Sequence, residues 1–309
     1  MGAFKSLPKR ARRSECDEDE SRQQIVLFTG SSEKLAISYA LRLASDSQKR
    51  FKVLVAVSSL SSGENLSDTK ILKYLNTTLF MLKMDISSQE DVQKVVDQIK
   101  EEDGYIDAVV IASDIRLAGP IEEHTSGQIE SLFESNVYST TRIIRAVLPV
   151  LKKQHHGKIL VTNTQAGIFG MPFHSAYSAT KFAVNGLLES LAPECLRFNI
   201  YISILETSLS NESDKNAKAI RLAMENDTSA LDGDTVDYYE NFNNRLKKNR
   251  SSVKKPNPMK LGDTVKDILL TSKPHFRYQI NRVCKEAVRQ KLTDESGDSY
   301  IEEAAEKYL

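Results

Sequence analysis

The chain has no excess of either charge. Its 42 Lys and Arg are matched by 42 Asp and Glu, so no global field favours nucleic acid as a partner. Cysteine is scarce. Cys16, Cys195 and Cys284 are odd in number and far apart, which excludes a disulfide framework or a cysteine-based metal site and fits a reducing compartment. No apolar run approaches the roughly 18 residues of a membrane span. The N-terminus lacks the apolar core of a signal peptide. A cytoplasmic protein is the expectation. There is neither an internal repeat nor a sign of a second domain, and 309 residues suffice for one large α/β domain.

The chain does contain regular alternation. Residues 1–23 form a polar tail with a basic cluster at Lys9, Arg10, Arg12 and Arg13, followed by acids from Asp17 to Glu20; this composition predicts disorder. From Gln24 onward, short apolar β-branched runs alternate with amphipathic ones. Strands are expected at 25–30, 51–57, 79–84, 106–112, 158–163 and 201–205. Helices are expected at 33–44, 66–75, 91–99, 127–153 and 175–197, with a kink at Pro193. That order predicts a doubly wound, Rossmann-like parallel sheet with helices on both faces, over residues 24–309. Residues 207–260 lose the pattern and are rich in Ser, Asn, Asp and Lys; so long a segment reads as a substrate lid. Closing helices follow at 261–273 and 281–292.

One helical segment concentrates chemistry. In His174-Ser175-Ala176-Tyr177-Ser178-Ala179-Thr180-Lys181, Tyr177 and Lys181 are four residues apart and share a helix face. A free tyrosine, with a pKa of about 10, is a poor base at neutral pH. A nearby ammonium favours the phenolate; moving the pKa about three units takes roughly 4 kcal/mol. Thr164 ends the preceding strand, 13 residues before Tyr177. This arrangement resembles the short-chain dehydrogenases/reductases. Gly170-Met171-Pro172-Phe173, Lys181-Phe182-Ala183, Glu189-Ser190-Leu191-Ala192 and Phe198-Asn199-Ile200-Tyr201-Ile202-Ser203 narrow the resemblance. They are similar to the branch holding 17-beta-hydroxysteroid dehydrogenase type 1 and photoreceptor retinol dehydrogenase.

The resemblance implies a set of roles. Tyr177 is the acid/base. Lys181 lowers its pKa and holds the nicotinamide ribose, Thr164 orients the substrate oxygen, and Asn136 supports a proton relay. Thr29, Gly30, Ser31, Ser32, Asp85 and Ala112 would line an NADP(H) or NAD(H) site, and no metal is implied. The sequence departs from the family at that site. The family's Thr-Gly-x-x-x-Gly-x-Gly reads Thr29-Gly30-Ser31-Ser32-Glu33-Lys34-Leu35-Ala36, keeping only the first glycine. Asn-Ala-Gly after the fourth strand reads Ala112-Ser113-Asp114, and the Pro-Gly pair expected just after Glu206 is missing. Ser58-Ser59 offers no carboxylate for a ribose 2′-hydroxyl, a lean toward NADP.

Two functions follow from this pattern. One is an oxidoreductase interconverting an apolar alcohol and its ketone or aldehyde, steroid or retinoid by resemblance. The other is a cofactor-weak or inactive relative that serves as a binding or interaction protein. The resemblance also implies a homodimer through the helices at 127–153 and 175–197. Met1-Gly2-Ala3-Phe4-Lys5-Ser6 fits an N-myristoylation pattern. With the basic cluster behind it, peripheral membrane contact is a further expectation.

Overall fold

The computed structural model describes residues 22–30, 34–58, 69–207, 231–252 and 258–280, together with Lys285, Val288, Arg289, Lys291, Thr293 and Glu306. Seven parallel strands form one sheet in the order β3-β2-β1-β4-β5-β6-β7. The strands are β1 (Gln24–Thr29), β2 (Phe51–Val57), β3 (Leu79–Lys83), β4 (Ala108–Ile111), β5 (Gly157–Thr164), β6 (Ile200–Thr207) and β7 (Arg277–Gln279). The order reverses between β1 and β4. Ligands of open α/β sheets bind at such a switch point, outside the carboxyl ends of the strands.

The inner strands β1, β4 and β5 are buried along almost their whole length. That burial accounts for their continuous apolar runs, as in any sheet covered on both faces. One face carries α3 (Gln89–Asp103), α5 (Ser139–Gln154) and α6 (Ser175–Leu196); there Val96, Ile143, Val147 and Leu188 pack with Leu27, Val109 and Ile159. The other carries α1 (Lys34–Ala44) and α8 (Pro258–Leu270). There Tyr39, Leu43, Val265 and Leu269 pack on Val26, Phe28, Val53 and Val110. Arg42 and Asp263 join α1 to α8, Nε to Oδ1 at 2.5 Å. Between these elements lie α2 (Thr69–Leu72), α4 (Ser126–Phe133) and α7 (Gly233–Ser252).

Several boundaries differ from the sequence pattern. The helix expected over 127–153 is a run of α4, a π-turn at Glu134–Tyr138, and α5. The π-turn shifts the phase of the helix, so a single period does not describe it. Thr125 and Gln128 close its first turn as a reciprocal capping box. Helix α6 runs past Pro193 to Leu196. The proline falls in the last turn, so the bond it removes, to the Glu189 carbonyl, lies near the helix end. Strand β7 has no counterpart in the sequence reading; three residues carry too little periodicity to be seen. Arg22 and Gln23, expected within the disordered tail, are tied down. Arg22 pairs with both oxygens of Asp107 at 2.9 Å and lies over the Tyr105 ring at 3.9 Å. Gln23 donates to the Lys49 carbonyl at 2.8 Å. The rest of the tail and residues 208–230 of the lid lie outside the described residues.

Candidate active site

The site is built at the carboxyl edge of β4 and β5. At the end of β5, Asn163 is buried and accepts the Thr164 amide at 2.9 Å. Its amide nitrogen donates to the Lys181 carbonyl at 3.1 Å and to Asn185 Oδ1 at 2.7 Å. Asn185 in turn donates to the Gly167 carbonyl at 2.7 Å. This buried network fixes β5, the turn at Gln165–Gly167 and α6 in one register. Gly167 is there by necessity: a Cβ would stand 2.8 Å from Asn163 Nδ2 and 3.0 Å from the Lys181 carbonyl oxygen.

The lock aims Thr164 at Tyr177. Their hydroxyl oxygens are 3.2 Å apart, and Thr164 Oγ1 also accepts the Ala166 amide at 3.3 Å. Tyr177 is fully buried and Lys181 is 2% exposed. The structure therefore brings Thr164, Tyr177 and Lys181 together.

A fourth residue joins them. Tyr177 donates its phenolic proton to Asp114 Oδ2 at 3.1 Å, and Lys181 Nζ is ion-paired with Asp114 Oδ1 at 2.6 Å. Asp114 follows β4, where the family has glycine. Tyr177 has a single proton, and here it points to a carboxylate.

The electrostatics run opposite to the expectation from the sequence. The Tyr177 phenol is held well above its ordinary pKa, first by burial and then by the negative charge of Asp114; Thr164 and Arg116 work against them. Both leading causes disfavour the phenolate. The ammonium of Lys181 was expected to depress this pKa, but it faces a carboxylate 2.6 Å away.

Asn136 lies in the π-turn, 1% exposed. It accepts the Ile115 amide at 2.9 Å and donates to the Ile115 carbonyl at 2.9 Å and to Thr180 Oγ1 at 3.1 Å. In this arrangement its side chain latches the loop after β4 to α6, one residue from Asp114.

The apolar side of the site is formed by Leu117, Phe169 and Met171, which cluster with Tyr177. Phe173 has a left-handed backbone (φ 54°) and packs its ring on Tyr239 and Phe242 of α7, at 5.0 and 5.1 Å between centroids. Tyr239 donates to the Ala118 carbonyl at 3.4 Å. Helix α7 thus packs against Phe173 and the loop after β4.

The turn after β1 is the other half. Gly30 has φ 82°, and a Cβ on it would meet Ser113 N at 2.4 Å and Ala112 C at 2.5 Å. This glycine is kept because the turn crosses the backbone of the β4 end, whatever it does for a phosphate. The Ala112 amide donates to the Thr29 carbonyl at 3.1 Å. Thr29 Oγ1 and Ser113 Oγ are buried with no hydrogen-bond partner among the described residues. Ser31, Ser32 and Glu33 lie outside the described residues. Asp85, the expected adenine contact, is exposed and accepts the amide and hydroxyl of Ser87 at 2.9 and 2.7 Å.

These groups fit a nicotinamide dinucleotide in kind. A buried ammonium, a phenol and two unengaged hydroxyls at a switch point suit a ligand rich in hydroxyl and phosphate oxygens. Among the described residues, Asp114 competes with such a ligand for Lys181.

Sequence reasoning noted Asp114 as a departure but gave it no role, and it missed Asn163 and Asn185. The Asp114 substitution was itself the available signal. For the asparagines there was none, because their partners are distant in the chain.

Comparison with known proteins agrees with this geometry. Residues 24–219 match the short chain dehydrogenase family. The chain is 27% identical to human retinol dehydrogenase 8, covering 89% of this chain and 87% of that protein. It is 30% identical to rat estradiol 17-beta-dehydrogenase 1, covering 90% and 79%. Among solved structures, a short chain dehydrogenase/reductase from Burkholderia phymatum in complex with NAD superposes with a TM-score of 0.71 at 18% identity, covering 90% of this chain and 95% of that one. The family match over residues 24–219, with the seven-stranded parallel sheet, establishes that the chain belongs to the short-chain dehydrogenase family of NAD(P)-dependent oxidoreductases.

Proposed function

We propose that this protein interconverts an apolar alcohol and its ketone or aldehyde, with Tyr177 exchanging the proton of the substrate oxygen. The observation that carries the proposal is the pair of buried hydroxyls, Thr164 and Tyr177, 3.2 Å apart and walled by Leu117, Phe169 and Met171. Two hydroxyls converging on one point can both bond a single carbonyl or alcohol oxygen. An apolar wall beside them excludes water and selects a hydrophobic body.

In this reading Tyr177 gives or takes the proton and Thr164 orients the oxygen. Lys181 holds the nicotinamide ribose and Gly30 lets the turn lie close to the pyrophosphate. Asn136 supports the relay toward Lys181. The nicotinamide, when bound, supplies the hydride. The names of the relatives, a retinol dehydrogenase and an estradiol dehydrogenase, point to a retinoid or steroid as substrate. No described helix is long and apolar enough to cross a membrane. Attachment through Gly2, which lies outside the described residues, and pairing of two chains through α5 and α6 belong to the same proposal.

A second reading, a cofactor-weak relative acting as a binding protein, draws on one observation: Asp114 engages both Tyr177 and Lys181. Titration of the purified protein with NADPH and NADH, followed by nicotinamide fluorescence, separates the two. The enzyme reading expects saturable binding, then turnover of estrone or retinal. Absence of binding at millimolar cofactor would decide for the second reading.

A further inference from the structure

Asp114 has a role that neither the family pattern nor the sequence supplies. Its carboxylate lies between the two groups that define the dyad, 2.6 Å from the ammonium and 3.1 Å from the phenol oxygen. Lys181 is 2% exposed, and a buried ammonium needs a counter-charge. The Lys181 ammonium has three N–H groups, so a ligand oxygen that takes it must share it with Asp114 or displace that carboxylate from its partner ion in a largely buried place.

The carboxylate is also firmly placed. Asn136 grips the next residue, Ile115, through both its amide and its carbonyl at 2.9 Å. Four residues further on, the Gly119 amide donates to the Phe173 carbonyl at 2.8 Å. Tyr239 of α7 reaches the Ala118 carbonyl at 3.4 Å. The loop that bears Asp114 is thus fastened to the π-turn, to the lead-in of α6 and to the described part of the lid.

The hydrogen-bond polarity has a direct consequence. Thr164 Oγ1 accepts the Ala166 amide, and the Tyr177 proton is given to Asp114. While that holds, the phenol has no proton for a substrate oxygen and the ammonium is engaged.

We propose that Asp114 is a positioning residue that closes the dyad on itself and competes with the nicotinamide ribose for Lys181 and Tyr177. The inference rests on the proposed dehydrogenase reading, in which Lys181 holds that ribose. Binding then requires the loop after β4 to withdraw Asp114. The apparent affinity falls by the fraction of molecules in which it has done so; a competent fraction of about one in a hundred weakens binding about 100-fold. The opposing charges near the dyad are Lys181 and Arg116, so removing the Asp114 charge leaves cations facing the phenol.

The test uses the full-length protein and two variants, Asp114→Asn, which keeps the shape, and Asp114→Gly, which restores the family residue. Circular dichroism melts establish that each is folded. Phenolate absorbance is titrated without cofactor, with Tyr177→Phe identifying the Tyr177 contribution. NADPH and NADH affinities are measured in parallel by nicotinamide fluorescence. The proposal expects Tyr177 to ionise at lower pH in both variants and NADPH or NADH to bind roughly 10- to 100-fold tighter. Unchanged phenol titration overturns it. So does unchanged cofactor affinity with a wild type that binds cofactor well; the dehydrogenase reading then stands. If neither wild type nor variants bind cofactor, the dehydrogenase reading itself fails, and the competition with it.

Discussion

The two halves of the carboxyl edge have been treated differently. On the β5–α6 side, a network of buried amides ties the end of β5 to α6. Asn163, Asn185 and Gly167 are interlocked at 2.7–3.1 Å, and Thr164 faces Tyr177. On the β1–β4 side, one glycine of the family motif remains, and it is held by the backbone of Ala112 and Ser113. The next residue, Asp114, reaches across into the other half. A motif can therefore survive because the fold needs it rather than because the ligand does. Gly30 is required by the crossing of two backbone segments.

The comparison can be broken most sharply at Tyr177. Tyr177→Phe removes the phenol oxygen and keeps the ring, so turnover should fall by roughly 10²- to 10⁴-fold while the melting temperature is little changed. Undiminished turnover in this variant would remove Tyr177 from the chemistry and the β5–α6 half from its assigned role.

Arg277→Ala tests whether the far end of that half is also held by charge. Arg277 pairs with Glu206, fully buried at the end of β6, and with half-exposed Glu189 on α6. Breaking a buried pair costs about 3–5 kcal/mol. About 3 is expected here, because Arg277 keeps 26% of its side chain in water. Burial already raises the Glu206 carboxyl pKa, with Arg277 opposing. Without Arg277 the folded pKa rises further above the unfolded value of about 4.3. The penalty should therefore grow as pH rises past the wild-type folded pKa of Glu206, itself above that value, and shrink as pH falls below it. A pH-independent loss in chemical denaturation would show that Glu206 is not the cause.

Two glycines sharpen the contrast between the halves. Gly30→Ala combines a left-handed backbone (φ 82°) with a 2.4 Å approach to a backbone nitrogen. It should cost about 3 kcal/mol or more, since neither partner can move aside. Gly167→Ala meets the side-chain amides of Asn163 and Asn185 at 2.8 and 3.0 Å, and the Lys181 carbonyl oxygen. It should cost about 1–3 kcal/mol and also misplace Thr164. Equal losses in the two variants would contradict the distinction between a backbone crossing and a side-chain lock.

The smallest effect is expected at the eroded turn. Glu33→Ser with Lys34→Gly restores close backbone approach and removes a carboxylate that opposes phosphate. Cofactor affinity should rise several-fold, on the order of 1 kcal/mol for one favourable interaction at a helix N-terminus. Fluorescence titration with NADPH and NADH measures it. An unchanged or weaker affinity would mean that the turn has been rebuilt around these side chains.

Much of the architecture was legible beforehand. The strands expected at 25–30 and 158–163 are apolar runs bounded by turn residues; the first matches β1 up to Thr29, with Gly30 just beyond it, and the second falls within β5. The helix containing Tyr177 and Lys181 was placed within a residue of its observed end at Leu196. The π-turn at Glu134–Tyr138 was hidden because a shift of phase inside a long amphipathic run looks, locally, like more of the same helix. Strand β7 was hidden by its length. Arg22 was assigned to a charged tail because its partner, Asp107, is 85 residues away.

The sequence by itself determined the alternation of strands and helices and the spacing that puts Tyr177 and Lys181 on one helical face. It also retained the glycine that ends β1. Each is a local property, a period or a backbone conformation, and can be read within a window of some ten residues. Whether the dyad is open or closed was decided only by the tertiary structure. Asp114 and Tyr177 are 63 positions apart and meet because β4 and β5 are neighbours in the sheet. Their carboxyl ends carry a loop and a helix to the same edge, and burial, together with that carboxylate, outweighs what the helix spacing alone implied about the phenol.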